Sequence, residues 1–308
     1  MHTAQAILFK LGSVTIFVVM SALIKYGTQH VPPGQAVFFR SFFAIPIILG
    51  WLAARGDLAT GWRTRDPLGH FWRGIMGTMA MGLFFAGLAL LPLPEVTAIG
   101  YATPIFITVF AAMFLNERVR AFRLFAVGLG LIGVMIVMWP RLGSFSGADT
   151  GDAILALGAV VTLGGAICAA MAQVYIRKLT KSENTAAIVF WFSVTSSLLG
   201  LCTIPFGWTI PPMNAVLALV TAGLIGGVGQ IFLTTSYRLA DAAVVAPFDY
   251  ASMLFALVIG YFIFDEVPTV PMLIGAGLVI FAGILIIWRE RQLGKQRTSR
   301  KAAIPGNV

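Results

Sequence analysis

The chain has 308 residues, 58% hydrophobic and only 11% charged, with a mean hydropathy of +0.90. Soluble globular domains carry about 25% charged residues, so a chain this apolar could not cover its own surface, and the composition excludes a soluble domain in favour of a polytopic membrane protein. The net charge is +9. Its basic residues lie in short loops and a tail, which points to membrane topology and anionic headgroups rather than nucleic acid.

A span needs about 20 mostly apolar residues. Ten segments qualify: 7–26, 35–54, 72–91, 95–115, 121–139, 153–176, 185–206, 213–237, 241–264 and 268–288. Very short turns join the third to the fourth and the eighth to the ninth, so each of these pairs is antiparallel. If the first span leaves from the cytoplasm, the inner loops hold Arg55, Arg63, Arg65, Arg73, Arg118, Arg120, Arg123, Arg177, Lys178, Lys181 and Arg238, and the inner tail is basic from Arg289 onward. The outer loops then hold only Lys25 and Arg141, with Lys10 and Arg40 left inside spans. This bias places both termini in the cytoplasm. The first span reads as an uncleaved helix rather than a signal peptide, and the tail as disordered on the inner leaflet. Cys168 and Cys202 fall in spans, far from any other cysteine or a histidine pair. They read as small core residues, with neither a disulfide nor a metal site.

Self-similarity appears at an offset of 149 residues. It pairs Gly74 with Gly223, Gly77 with Gly226, Tyr101 with Tyr250, Phe106 with Phe255, Glu117 with Glu266 and Trp139 with Trp288. Greasy helices match Leu and Ala by chance, but matches of Tyr, Trp and Glu in one register point to a five-span duplication. Five is odd, so the second copy enters the membrane from the opposite side. The fold expected is an all-α membrane protein of ten transmembrane helices in two inverted five-helix repeats, 1–144 and 145–290, followed by a basic tail, 291–308. Secondary transporters share this architecture and bind substrate near the midplane between repeats.

Four motifs sharpen the reading: Phe38-Phe39-Arg40 in the second span, Asn116-Glu117 closing the fourth, Ala246-Pro247-Phe248-Asp249-Tyr250 in the ninth, and Phe264-Asp265-Glu266 closing it. With these the chain resembles the drug/metabolite transporter superfamily, EamA type, over roughly 5–288. The resemblance is to bacterial members that take up riboflavin or S-adenosylmethionine. It implies a multi-pass carrier of the inner membrane that needs no cofactor. The S-adenosylmethionine type carries a basic residue where Asp249 stands, which favours a riboflavin-like substrate.

Asp249 is the costly residue. A carboxylate inside a span must face protein or water, and is a functional-site hypothesis by default. It lies about 12 Å from the inner end of its helix, beside Pro247, which removes a backbone donor. Arg40 lies roughly 8 Å below the outer face. Their depths differ by about 10 Å, a gap that a substrate fits; the alternative partner for Arg40 is Glu95. Tyr101 and Tyr250 are expected on opposite walls of one cavity, or else in an interfacial belt. Gln230 is costly in lipid and faces the interior, toward substrate or another helix. Lys10 and Lys25 read as snorkelling side chains, and Glu117 and Glu266 as caps or gate salt bridges. His2, His30 and His70 fall in loops. Phe39, Phe248 and Trp191 flank these positions and hint at a planar aromatic substrate. Gly128-Leu129-Gly130-Leu131-Ile132-Gly133 has dinucleotide-motif spacing but sits mid-span with no preceding strand. Gly223 and Gly227 read as close helix packing.

The function expected is uptake of a small metabolite such as riboflavin by alternating access. The rivals are an exporter of amino acids or related metabolites, a membrane-embedded enzyme and a lipid-binding scaffold. An enzyme would need a cluster of ligands or a nucleophile with its base, and the ten segments hold no histidine and few acids. Proton coupling through Asp249 or Glu95 and a homo-oligomeric state are both compatible with the sequence.

Overall fold

The computed structural model describes residues 2–115, 121–142, 150–179, 182–239, 248–249 and 251–302, and among these the chain is helical with no strand. The elements are α1 (His2–Gly27), α2 (Pro33–Phe42), α3 (Ala44–Ala54), α4 (Pro67–Leu90), α5 (Leu93–Gly100), α6 (Ala102–Leu115), α7 (Ala121–Leu142), α8 (Thr150–Leu179), α9 (Thr185–Leu201), α10 (Met213–Leu239), α11 (Ala251–Phe264) and α12 (Val270–Ala302). Five stretches, in α1, α2–α3, α4, α8 and α10, are long and apolar enough to cross a membrane alone. Five shorter apolar helices fall where the remaining expected spans lie.

Two spans are broken for one reason. The second breaks at Phe43 and the fourth at Tyr101. Pro46 and Pro104 each follow three residues later. A proline has no N–H to give to the carbonyl four residues back, so Phe42 and Gly100 lose a helical bond there.

The packing follows the duplication. Moving α1 and α4 by 149 residues lands on α8 and α10. The chain packs α1 along α10 and α4 along α8, the same contact seen from each half. The repeat mates α2 and α9 pack together, as do α7 and α12, and α5 lies on α11. Small residues bring these helices close. A Cβ added to Gly133 of α7 would stand 2.7 Å from the Gly275 carbonyl of α12, so the glycine spacing in the fifth span serves packing, not nucleotide. Gly223 and Gly227 likewise press α10 against Phe43 and Ala44.

Four expectations are corrected. Residues 291–302 continue α12 instead of being disordered; their Arg, Lys and Gln are good helix formers. The third span starts at Pro67 rather than at 72, because the Asp66 carboxylate accepts from the Gly69 N–H at 2.9 Å and Pro67 suits the first helical turn. His70 is therefore a buried helical residue and not a loop one, and His2 also lies in a helix. Cys202 is exposed at the C-terminal end of α9 rather than in the core.

Candidate functional site

The bundle buries a pair of arginines. Arg40 on α2 and Arg73 on α4 are 3% and 6% exposed. Both guanidinium carbons lie over one ring, Phe192 of α9, at 5.6 and 3.5 Å from its centroid. Such contacts are cation–π interactions, strongest where water is absent. The Nε and Nη1 atoms of both arginines are buried without a hydrogen-bond partner, as is the Ser41 hydroxyl beside Arg40. Among the described residues no carboxylate reaches either arginine, so the expected alternative, an ion pair of Arg40 with Glu95, is not formed. One turn farther along, Thr78 donates to the Gly74 carbonyl at 2.7 Å and accepts from Ser196 at 2.7 Å, tying α4 to α9.

A third span that starts at 72 leaves Arg73 at the inner face rather than in the interior. The Asp66-Pro67 helix start was the signal that would have placed it inside.

Asp249 belongs to a second group. Its carboxylate meets Lys10 Nζ at 2.7 Å, with Lys10 1% exposed and the Asp249 side chain 43% exposed. Lys10 is thus a buried ion-pair partner and not a snorkelling chain; the turn at Asp249 gives its ammonium an anion inside the bundle. The Tyr101 hydroxyl lies 2.7 Å from Ser252 Oγ, which donates to the Asp249 carbonyl at 2.6 Å. Ser252 has one proton and gives it to that carbonyl, so Tyr101 is the donor to Ser252. Tyr101 of the first half thereby braces the Asp249 turn of the second. Tyr250 and Glu117 lie outside the described residues. Gln230 is half-buried on α10, and its main-chain carbonyl accepts from the Thr234 hydroxyl. Trp191 is spent elsewhere, donating to the Trp62 carbonyl at 2.8 Å.

Arg40 and Asp249 are not brought together. The space beside Gly226 is shared by Met20 of α1 and Arg40, whereas Asp249 sits on Lys10. Ten residues of α1 separate these levels, about 15 Å along the axis.

Each end of the bundle has its own bonding. At the end of α1, Lys25 Nζ donates to the Leu91 carbonyl at 2.6 Å and the Leu88 carbonyl at 3.2 Å, and meets Glu266 at 3.0 Å. Glu266 also accepts from the Leu93 N–H at 2.8 Å. Asp265 has a φ of 54°, a left-handed turn that Asp tolerates better than most residues. It folds the chain back so that the Glu266 N–H reaches the Gly260 carbonyl. Lys25 is therefore a clamp residue and not a snorkelling one, since carbonyls left open where α4 ends and α5 begins give its ammonium acceptors inside the protein.

At the opposite end, Glu183 in the α8–α9 turn accepts from the backbone N–H groups of Arg65 and Asp66 and from Thr64, with His70 at 3.7 Å. Burial alone would raise the Glu183 carboxyl. The two backbone donors, Thr64 and the charge interaction with His70 outweigh it and hold the carboxyl below its ordinary value.

Comparison with known proteins adds the family. The EamA-like transporter family matches residues 4–139 and 156–289, one match for each set of five spans. The chain is 30% identical over 275 residues to the pseudopaline exporter of Pseudomonas aeruginosa, covering 88% of this chain and 91% of that one. It is 30% identical over 273 residues to a riboflavin transporter of Rhizobium johnstonii, covering 88% and 85%. Against an S-adenosylmethionine uptake transporter of Rickettsia prowazekii it is 26% identical over 268 residues, covering 87% of each. A solved crystal structure shares the fold with a TM-score of 0.63 at 22% identity, covering 92% of this chain and 97% of that one. With both halves matched, the chain belongs to the EamA-like transporter family, and is a multi-pass membrane transporter of small metabolites rather than an enzyme.

Proposed function

We propose that the protein carries its metabolite by alternating access across a bacterial inner membrane, with both termini in the cytoplasm. The observation that carries this reading is a charged interior between two differently bonded ends. Lys25, Glu266 and three backbone groups close the end away from the termini. Toward the other end, Glu183 ties the turn before α4 to the α8–α9 turn, while the Asp249 side chain is 43% exposed on its buried lysine. We read this as a carrier closed to the outside and facing the cytoplasm. Substrate binding would tip a balance of a few kcal/mol between this form and its opposite.

Riboflavin uptake is the first substrate to test, from the Asp249 motif and one relative. Export is a second reading, favoured by an exporter at the same 30% identity. Counterflow in proteoliposomes separates transport from both direction and coupling. Vesicles loaded with unlabelled riboflavin, S-adenosylmethionine or pseudopaline are given the labelled compound outside. One of them is expected to accumulate transiently above equilibrium, and Asp249→Asn to slow this about tenfold or more, as loss of a charge-assisted contact would. Absence of counterflow with all three compounds would contradict the reading. Proton coupling through Asp249 or Glu95 predicts that net uptake stops when the proton gradient is collapsed; a steady rate would leave facilitated diffusion.

A further inference from the structure

The fold answers its buried lysines and leaves its buried arginines open. Lys10 has Asp249, and Lys25 has Glu266 and two carbonyls. Arg40 and Arg73 share only the Phe192 face, and the Nε and Nη1 of each lack any hydrogen-bond partner. A guanidinium cannot escape this by losing its proton. One ring offers attraction to a cation but does not satisfy five N–H donors. Since both distances are taken to one centroid, the two guanidinium carbons are within about 9 Å, where like charges inside a bundle repel.

The helices also make room for both heads. A Cβ on Gly77 would stand 2.7 Å from Arg73 Nη1, and one on Gly226 would stand 3.5 Å from Arg40 Nε. Gly77 and Gly226 are repeat mates at the 149-residue offset, so each half supplies one glycine beside one arginine. The open Ser41 hydroxyl adds a donor at the same level.

We infer that Arg40 and Arg73 form a binding site for an oxyanion, the carboxylate or phosphate of a small molecule. A carboxylate bonded at both ends by guanidinium forks holds their carbons about 8 Å apart, which lies within the limit of about 9 Å that the shared Phe192 contact sets. The site lies inside the bundle, away from the level of lipid headgroups. The oxyanion is the part of the transported substrate that this site recognises, and that clause alone rests on the carrier reading. It reorders the candidates. S-adenosylmethionine carries a carboxylate and riboflavin carries no oxyanion, so acidic or zwitterionic metabolites come before the neutral vitamin.

The test uses the full chain in a maltoside detergent free of phospholipid, so that no headgroup phosphate competes. Thermal unfolding is followed at constant ionic strength as sodium phosphate, or separately sodium acetate, replaces sodium chloride. The wild type should show a saturable rise in midpoint with at least one of these anions. Arg73→Gln should melt at or above the wild type in chloride, because the like-charge repulsion is gone, and should lose the saturable rise. Arg73→Lys keeps the charge without the fork and should weaken the apparent affinity about tenfold. If Arg73→Gln does not fold, Arg40→Gln, which leaves the close Phe192 stack intact, is read by the same two criteria. A wild type with no saturable rise, an equal rise in the glutamine variant, or a glutamine variant that melts well below the wild type would overturn the site. Anion binding without counterflow would contradict the carrier reading and spare the site; counterflow without anion binding would do the reverse.

Discussion

Glu183 gathers donors from Thr64, Arg65 and Asp66, more than a hundred residues away, with His70 at 3.7 Å. Its carboxyl is held below the ordinary value of 4.5. A depressed carboxyl contributes stability that is fully present above its unfolded value and lost as pH falls through the lower folded one. The contribution should therefore be constant from pH 7 down to about 4.5 and disappear in more acid solution. Glu183→Gln should cost about 2 kcal/mol at pH 7, the scale of hydrogen bonds to a charged group, and should flatten the acid limb of the midpoint-against-pH curve. An acid limb identical to that of the wild type would contradict the assignment. The nearby Lys178–Asp66 pair, 3.9 Å apart and largely exposed, adds little by comparison.

Helix crossings show what a glycine pattern can and cannot reveal. The α7–α12 contact is reciprocal: a Cβ on Gly275 would stand 2.5 Å from the Gly133 carbonyl, and one on Gly133 would stand 2.7 Å from the Gly275 carbonyl. Backbone cannot step aside as a side chain can, so Gly275→Ala should destabilise by about 2 kcal/mol through overpacking. Gly50→Ala, with nothing within 4 Å, should be neutral or stabilise by up to about 1 kcal/mol. Thermal melts of the two variants check this, and equal effects would contradict the packing. The spans, the duplication and the packing role of Gly223 and Gly227 were legible because each is a pattern along the chain. The breaks at Phe43 and Tyr101 were also written in Pro46 and Pro104, and the early start of α4 in Asp66-Pro67. What was not legible is which interior groups meet. Lys10 and Lys25 read as snorkelling because their partners, Asp249 and Glu266, lie more than two hundred residues away. Arg40 and Asp249 looked like one site by depth alone, yet lie at different levels of α1.

At the scale of the molecule, the most extensive helix contacts among the described residues, α1 with α10, α4 with α8, α7 with α12 and α2 with α9, all cross between the halves, so the halves cannot move apart without repacking along shared faces. The ionic clamp of Lys25 and Glu266 is a local lock on one end of that interface. Alternating access requires this lock to open so that substrate can reach the interior charges from that end. Gln29 and Val267 are exposed beside it. Nitroxide labels at these two positions, with Cys168 and Cys202 replaced by serine, report the opening as a distance in lipid bilayers. The account predicts one short distance in the resting protein, a second, longer population when a substrate that supports counterflow is added, and the longer population even without substrate in Glu266→Gln. A single unchanged distance under all three conditions would contradict it.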